Sequence, residues 1–222
     1  MLKEGQSTRP ASACALAAAL ALWIATSAAW GITGEEIIRK AFDLRSEVRD
    51  YKAKVAVTTD IEDVDMPVRH ITVYYKRPDK MKVDSEGMVF VPKAALDLHS
   101  LGTRMTEDAQ ATLVGQKQLG GRTLYSVKMV PPGKDAGPER MLVWVWGDTW
   151  TVQKVQTFRG QQQLFEVQWV YQLIDGKYWM PEWIVFKTAG RKLPGGKGGE
   201  VTLQFSSVQV NVGLADDIFA GE

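Results

Sequence analysis

Cysteine and histidine are almost absent from this sequence. The single cysteine, Cys14, lies in an apolar amino-terminal segment, so the rest of the chain can form neither a disulfide nor a thiolate metal site. The two histidines, His70 and His99, lack a suitably spaced third ligand. We therefore predict no metal and no other cofactor.

An excess of charge of one sign is also missing. The chain holds 27 lysines and arginines against 26 aspartates and glutamates, whereas nucleic-acid binding needs a basic excess on one face. Nucleophile elbows and Gly-rich phosphate- or dinucleotide-binding loops are absent too. The sequence thus argues against nucleic-acid partners and against an enzyme. A hydrolase built on paired carboxylates is the catalytic alternative, with candidates Asp148, Glu166, Asp175 and Glu182.

The amino terminus carries the features of an export signal. Two basic residues precede an apolar run over 11–25, and three small residues that end at Ala29 follow it. We expect a signal peptide over 1–29 with cleavage after Ala29. If it stays uncut, the charge-free span 10–34 is long enough to anchor the chain in a membrane.

The remainder of the chain alternates apolar and polar residues at period two. Hydrophobic residues make up 45% of the chain, enough for a core. Glycine-containing pairs interrupt the alternation, which is typical of antiparallel strands joined by tight turns. We predict one mainly-β domain over 30–222 with about ten strands. These strands are expected at 51–59, 69–77, 80–85, 88–91, 113–117 and 122–130, and then throughout 140–210.

A helix is expected before the first strand, over 32–49. Thr33 and Glu36 have the spacing of a capping box, and apolar residues that include Phe42 recur at helical spacing. The helix either packs on the sheet or acts as a movable lid. Further short helices are predicted within 93–111.

The strand that begins at Arg140 is apolar on both faces. Trp144 and Trp146 alternate with Val143 and Val145. A sheet with one face in water alternates apolar with polar residues. Either both faces of this strand are covered, or one of them lines an apolar cavity that binds a ligand.

Residues 73–81, with sequence VYYKRPDKM, resemble the strand-and-turn segment of periplasmic outer-membrane lipoprotein-sorting proteins, the LolA/LolB-like family. Residues 216–219 are similar to the Asp-x-x-Phe ending of that family. The order of export signal, helix and long meander also fits, so that the resemblance covers about 33–219. It implies a half-open antiparallel β-barrel, with helices as a lid over an apolar cavity for acyl chains.

The resemblance implies a periplasmic carrier of lipid or lipoprotein acyl chains in outer-membrane lipoprotein sorting. Its partners would be lipids or lipoproteins, together with an inner-membrane release complex or an outer-membrane receptor. Arg77 matches the family's arginine that reaches the cavity mouth and hydrogen-bonds the lid. The expected ligand-binding residues are Phe42, Arg77, Trp144, Trp146, Phe165, Trp169, Tyr171 and Phe186.

The sequence departs from the family in two of its features. The segment 89–110 does not follow the carrier closely, and the expected signal is not followed by a lipid-attachment cysteine, which speaks against the lipid-anchored receptor branch. The alternative is that the same fold serves as an envelope-stress sensor or protein-interaction module.

Overall fold

Ten antiparallel strands form one continuous sheet in the computed structural model, which describes residues 31–43, 46–61, 66–87, 109–131, 139–188 and 198–220. The prediction of a mainly-β chain with about ten strands is confirmed. The strands are β1 (Asp50–Ile61), β2 (Arg69–Lys76), β3 (Lys80–Ser85), β4 (Gln110–Leu119), β5 (Arg122–Val130), β6 (Arg140–Trp146), β7 (Val152–Arg159), β8 (Gln162–Ile174), β9 (Tyr178–Thr188) and β10 (Gly199–Val210).

The first strand, β1, lies in the middle of this sheet, and the last strand, β10, lies beside it. The spatial order is β3-β2-β1-β10-β9-β8-β7-β6-β5-β4. The first three strands run outward to the β3 edge, and the next seven run back from the β4 edge until β10 pairs with β1. The described sheet is therefore open, with β3 and β4 at its edges.

The crossing from β3 to β4 passes through residues outside the described part of the chain. The predicted strand at 88–91 lies there, as does most of the predicted helical segment. Its carboxyl end is described, and the prediction of a helix there was wrong. Gln110 and Ala111 instead begin β4, where they pair with Val130 and Met129 of β5.

One α-helix in the described residues, α1 (Gly34–Asp43), precedes the sheet. Thr33 caps the amino terminus of the helix, because its Oγ1 accepts a hydrogen bond from the Glu36 amide at 3.1 Å. The helix is shorter than predicted. Asn211, at the end of β10, accepts from the Arg49 amide at 2.7 Å and donates to the Glu47 carbonyl at 3.0 Å. These bonds hold the segment before β1 in a non-helical conformation.

The core lies on one side of the sheet, here called the inner face. On β6 this face carries Met141, Val143 and Val145, all of them buried. The buried residues of α1 join the same apolar cluster, and α1 packs on β4, β5 and β6. The opposite side is called the outer face. Within the described part of the chain, no helix is long and apolar enough to cross a bilayer.

Candidate binding site

A cavity of about 350 Å³ lies between α1 and the β4 end of the sheet. Ile38 and Phe42 line it from the helix. On the side of the sheet it is lined by Ala109, which precedes β4, by Ala111 of β4 and by Met129 of β5. The two alanines are small, so the helix does not fill the space above them. The result is an apolar recess at the border of the core.

Charged residues surround the mouth of this cavity. Glu35, Arg39 and Asp43 line it from α1, and all three are exposed. Arg39 and Asp43 form a solvent-exposed ion pair with 3.5 Å between Nη1 and Oδ2. An apolar recess with a charged rim suits an amphiphile, since the chain can be buried while the polar head stays in water.

Close contacts at both ends fix α1 above the cavity. At Gly34 a Cβ atom would lie 2.5 Å from the carbonyl oxygen of Ala111, so the helix begins directly against the β4 backbone. Near the other end, the Lys40 ammonium lies 4.5 Å from the centre of the Trp150 ring. Trp150 stacks in turn on Tyr125 of β5, with their planes 5° apart. The position of α1 therefore determines the size of the recess.

Four of the expected ligand-binding residues lie on β8 and β9. Phe165 and Phe186 stack with their centroids 5.5 Å apart. Trp169, on the same face of β8 as Phe165, is buried, and Tyr171 packs against the same core. We call these four residues the aromatic cluster. Phe42 packs against the same hydrophobic core from the helix side and lines the cavity under α1, whereas none of the four residues of the aromatic cluster lines it.

Trp144 and Trp146 lie on the outer face, away from the aromatic cluster. They alternate with the buried Val143 and Val145, which face the core. The Lys154 ammonium lies 4.2 Å from the centre of the Trp144 ring, and a guanidinium from β5 covers Trp146 in the same way. The expectation that these two tryptophans line the same site as the others is therefore not supported by their positions.

Arg77 lies in the turn after β2 and binds the segment that follows α1. Its Nη1 donates to the Ser46 carbonyl at 2.5 Å, and its amide donates to the Arg49 carbonyl at 2.8 Å. Arg77 is exposed and is not among the residues that line the cavity under α1. It therefore contacts the connection between helix and sheet.

A larger groove, of about 860 Å³, lies on the outer face beside β1, β2 and β3. Its lining includes Lys54, His70 and Asp84 together with hydroxyl and amide side chains, so it does not suit an alkyl chain. The second histidine, His99, lies outside the described residues. Among the residues that the structure does describe, no three histidine, cysteine, aspartate or glutamate side chains are grouped to hold a metal ion.

Two of the carboxylates proposed for acid–base chemistry accept hydrogen bonds from neighbouring side chains. Burial raises the pKa of Glu166, but hydrogen bonds from Gln156 and Gln168, both at 2.5 Å, outweigh it and lower that pKa overall. A hydrogen bond from Arg122 lowers the pKa of Asp148. A general acid needs a raised pKa, so these shifts favour permanent negative charge.

The residues that form the cavity were not predicted from the sequence, apart from Phe42. Ala109 and Ala111 lay in a region expected to be helical, which hid their place beside a strand. The alternation of Ala111 and Leu113 with exposed Thr112 is the signal for the inner face of β4.

Solved structures share this fold. A LolA superfamily protein from Nitrosomonas europaea has a TM-score of 0.59 and 16% identity, with 85% of this chain and 98% of that chain covered. A DUF1329 family protein from Desulfovibrio piger has a TM-score of 0.62 and 15% identity, with 85% and 96% covered. A domain assigned to outer membrane lipoprotein sorting from Vibrio parahaemolyticus has a TM-score of 0.61 and 14% identity, with 84% and 96% covered.

Comparison by sequence identifies a family but no curated relative. No curated protein matches the chain by sequence. A family model described as "Uncharacterized protein" matches residues 94–222, more than half of the 222 residues. The fold of the chain is that of the LolA superfamily, and the chain belongs to the family that this model describes.

Proposed function

We propose that this protein is a non-catalytic periplasmic carrier that holds an acyl chain of a lipid or lipoprotein beneath α1. The observation that carries the proposal is the apolar recess with its charged rim. Ile38, Phe42 and Met129 supply apolar walls, while Glu35 and Arg39 remain in solvent at the mouth. The shared fold with a LolA superfamily protein and with a lipoprotein-sorting domain supports this reading.

The energetics of such a site need no cofactor. Each methylene moved from water into an apolar site contributes about 0.8 kcal/mol. Ligand cavities generally span about 300–1,000 Å³, and the recess of about 350 Å³ lies at the lower end of that range. A longer acyl chain needs α1 to move outward, away from the sheet. The acyl chain could then extend along the inner face towards the aromatic cluster.

Release of the cargo then depends on the attachment of α1. Arg77 holds the carbonyl of Ser46, three residues after the helix ends. We propose that Arg77 acts as a latch on this connection, with Phe42 and the aromatic cluster as the ligand-contacting residues. Trp144 and Trp146 are not part of this proposed site, because they lie on the outer face.

The export signal expected over 1–29 supports a periplasmic location. A carrier in outer-membrane lipoprotein sorting would receive its cargo at the inner membrane and deliver it at the outer membrane. We therefore propose an inner-membrane release complex or an outer-membrane receptor as protein partners, in outer-membrane lipoprotein sorting.

The direct test is native mass spectrometry of the protein purified from membranes, with and without added acyl lipid. A bound mass of one lipid or lipoprotein is the expected result. Ala109→Trp should reduce the bound fraction, since it fills the recess from its wall. Thr112→Trp is the matched control, because Thr112 is exposed on the same stretch of chain and does not line the cavity.

Protein that stays ligand-free even with added lipid would contradict the proposal. So would equal lipid binding by the Ala109→Trp and Thr112→Trp proteins, because binding would then take place elsewhere.

A further inference from the structure

The indole nitrogen of Trp169 is a buried hydrogen-bond donor without a partner. Its Nε1 atom is removed from solvent, and no acceptor lies within hydrogen-bond distance in the described structure. The whole residue is 4% exposed and belongs to the aromatic cluster. An indole can only donate, so this group can be satisfied only by an acceptor.

The other buried polar side chains of the described residues all have partners. Asp50 accepts from the Gly213 amide at 3.1 and 3.2 Å. The hydroxyls of Thr157 and Thr188 donate to backbone carbonyls of β8, each at 3.3 Å, and the hydroxyl of Thr151 bonds that of a neighbouring threonine. Trp169 is thus the exception in a set that otherwise satisfies its hydrogen-bonding groups.

The neighbours of Trp169 in the sheet are mostly apolar. Its partner across the strand pair is Ile184, and its neighbours on the same face of β8 are Val167 and Tyr171. Ile184 and Val167 are almost fully buried aliphatic residues. A phenylalanine would pack here without leaving a polar atom unpaired, so the donor has an energetic cost that nothing in the described structure offsets.

We propose that Trp169 donates its indole hydrogen to the carbonyl oxygen of a bound acyl group. The inference rests on the proposed function and adds that the protein recognises the acyl linkage as well as the hydrocarbon. The acceptor must be neutral, because burying an unpaired phosphate or carboxylate among aliphatic side chains is far more costly than burying a carbonyl. An ester carbonyl and an amide carbonyl share this chemistry.

The test compares two ligands that differ in the carbonyl alone. A monoacyl phospholipid with an ester-linked C16 chain and its ether-linked C16 counterpart have the same head group, and a fluorescent fatty acid serves as the displaced probe. Wild-type protein should bind the ester about threefold to tenfold more tightly than the ether, the range expected for one net hydrogen bond. An N-acylated C16 glycine amide serves as a third ligand and distinguishes an amide source from an ester source.

The variant Trp169→Phe should lose this preference while it still binds both lipids. Trp183→Phe is the matched control, since Trp183 lies on the neighbouring strand and pairs with the exposed Val170. That control should keep the preference. Proton–nitrogen NMR of the wild-type indole groups adds a readout that needs no substitution. The Trp169 resonance should move downfield with the ester and not with the ether.

The outcomes distinguish a failure of this inference from a failure of the proposed function. Equal affinities for ester and ether in wild-type protein, with an unmoved Trp169 resonance, would overturn the carbonyl contact and leave acyl-chain binding intact. Failure of every ligand to displace the probe from wild-type protein would refute acyl-chain binding itself, and the carbonyl contact with it. If Trp169→Phe does not fold, the ligand pair and the NMR shift on wild-type protein decide alone.

Discussion

The replacement Gly34→Ala tests whether α1 is held against β4 as the structure shows. Alanine favours a helix over glycine by about 1 kcal/mol, so this change normally stabilises. Here the added Cβ would lie 2.5 Å from the Ala111 carbonyl oxygen and 2.7 Å from the Leu113 nitrogen. Both neighbours are backbone atoms of a paired strand, so the helix must move instead.

Gly34→Ala is therefore expected to lower the free energy of unfolding instead of raising it. Overpacking of this kind typically costs about 1–3 kcal/mol, which exceeds the helix-propensity gain. A loss of about 2 kcal/mol corresponds to a decrease in Tm of about 4–8 °C for a domain of this size. The outward shift of α1 should also enlarge the recess that Ile38 and Phe42 line, and should change the affinity for acyl lipid.

Urea unfolding followed by tryptophan fluorescence measures the change in the free energy of unfolding. Gly115→Ala is the control, because a Cβ at Gly115 would meet only the Ser126 side chain, at an ordinary 3.7 Å. That variant should match wild type or exceed its stability slightly. A Gly34→Ala protein as stable as wild type, with unchanged lipid affinity, would refute the proposed contact between α1 and β4.

Two further predictions concern the latch and the outer face. Arg77→Leu should speed release of bound acyl lipid in a stopped-flow assay, because it removes the bond to the Ser46 carbonyl. Stability should fall by only about 1 kcal/mol, since Arg77 is exposed; a large loss of Tm would instead make Arg77 a structural residue. The folded-state pKa of Glu166 is lowered, so its carboxylate stabilises the fold above the unfolded pKa near 4.3. That contribution is lost as the pH falls through the lower folded value. Glu166→Gln should therefore show a shallower decline of Tm from pH 6 to pH 3 than wild type, and parallel curves would contradict this assignment.

Local sequence determined the strands, their turns and the beginning of the helix. Period-two alternation identified the strands, and the tight turns at Gly120–Gly121 and Asp175–Gly176 have the positive φ angles that such pairs adopt. The capping pair of Thr33 and Glu36 set the start of α1. Each of these features depends on interactions between residues a few positions apart, so it can be predicted from the local sequence.

Contacts between distant residues decided the rest. Strand β6 is apolar on both sides, so alternation could not tell which side faces the core. Tertiary packing buried Val143 and Val145, and it left Trp144 outside under Lys154 of the next strand. The end of α1 depends on Asn211, more than 160 positions away from Glu47. Pairing with β9 places Ile184 opposite Trp169, because a residue's neighbours across a sheet are set by register and not by proximity in the chain.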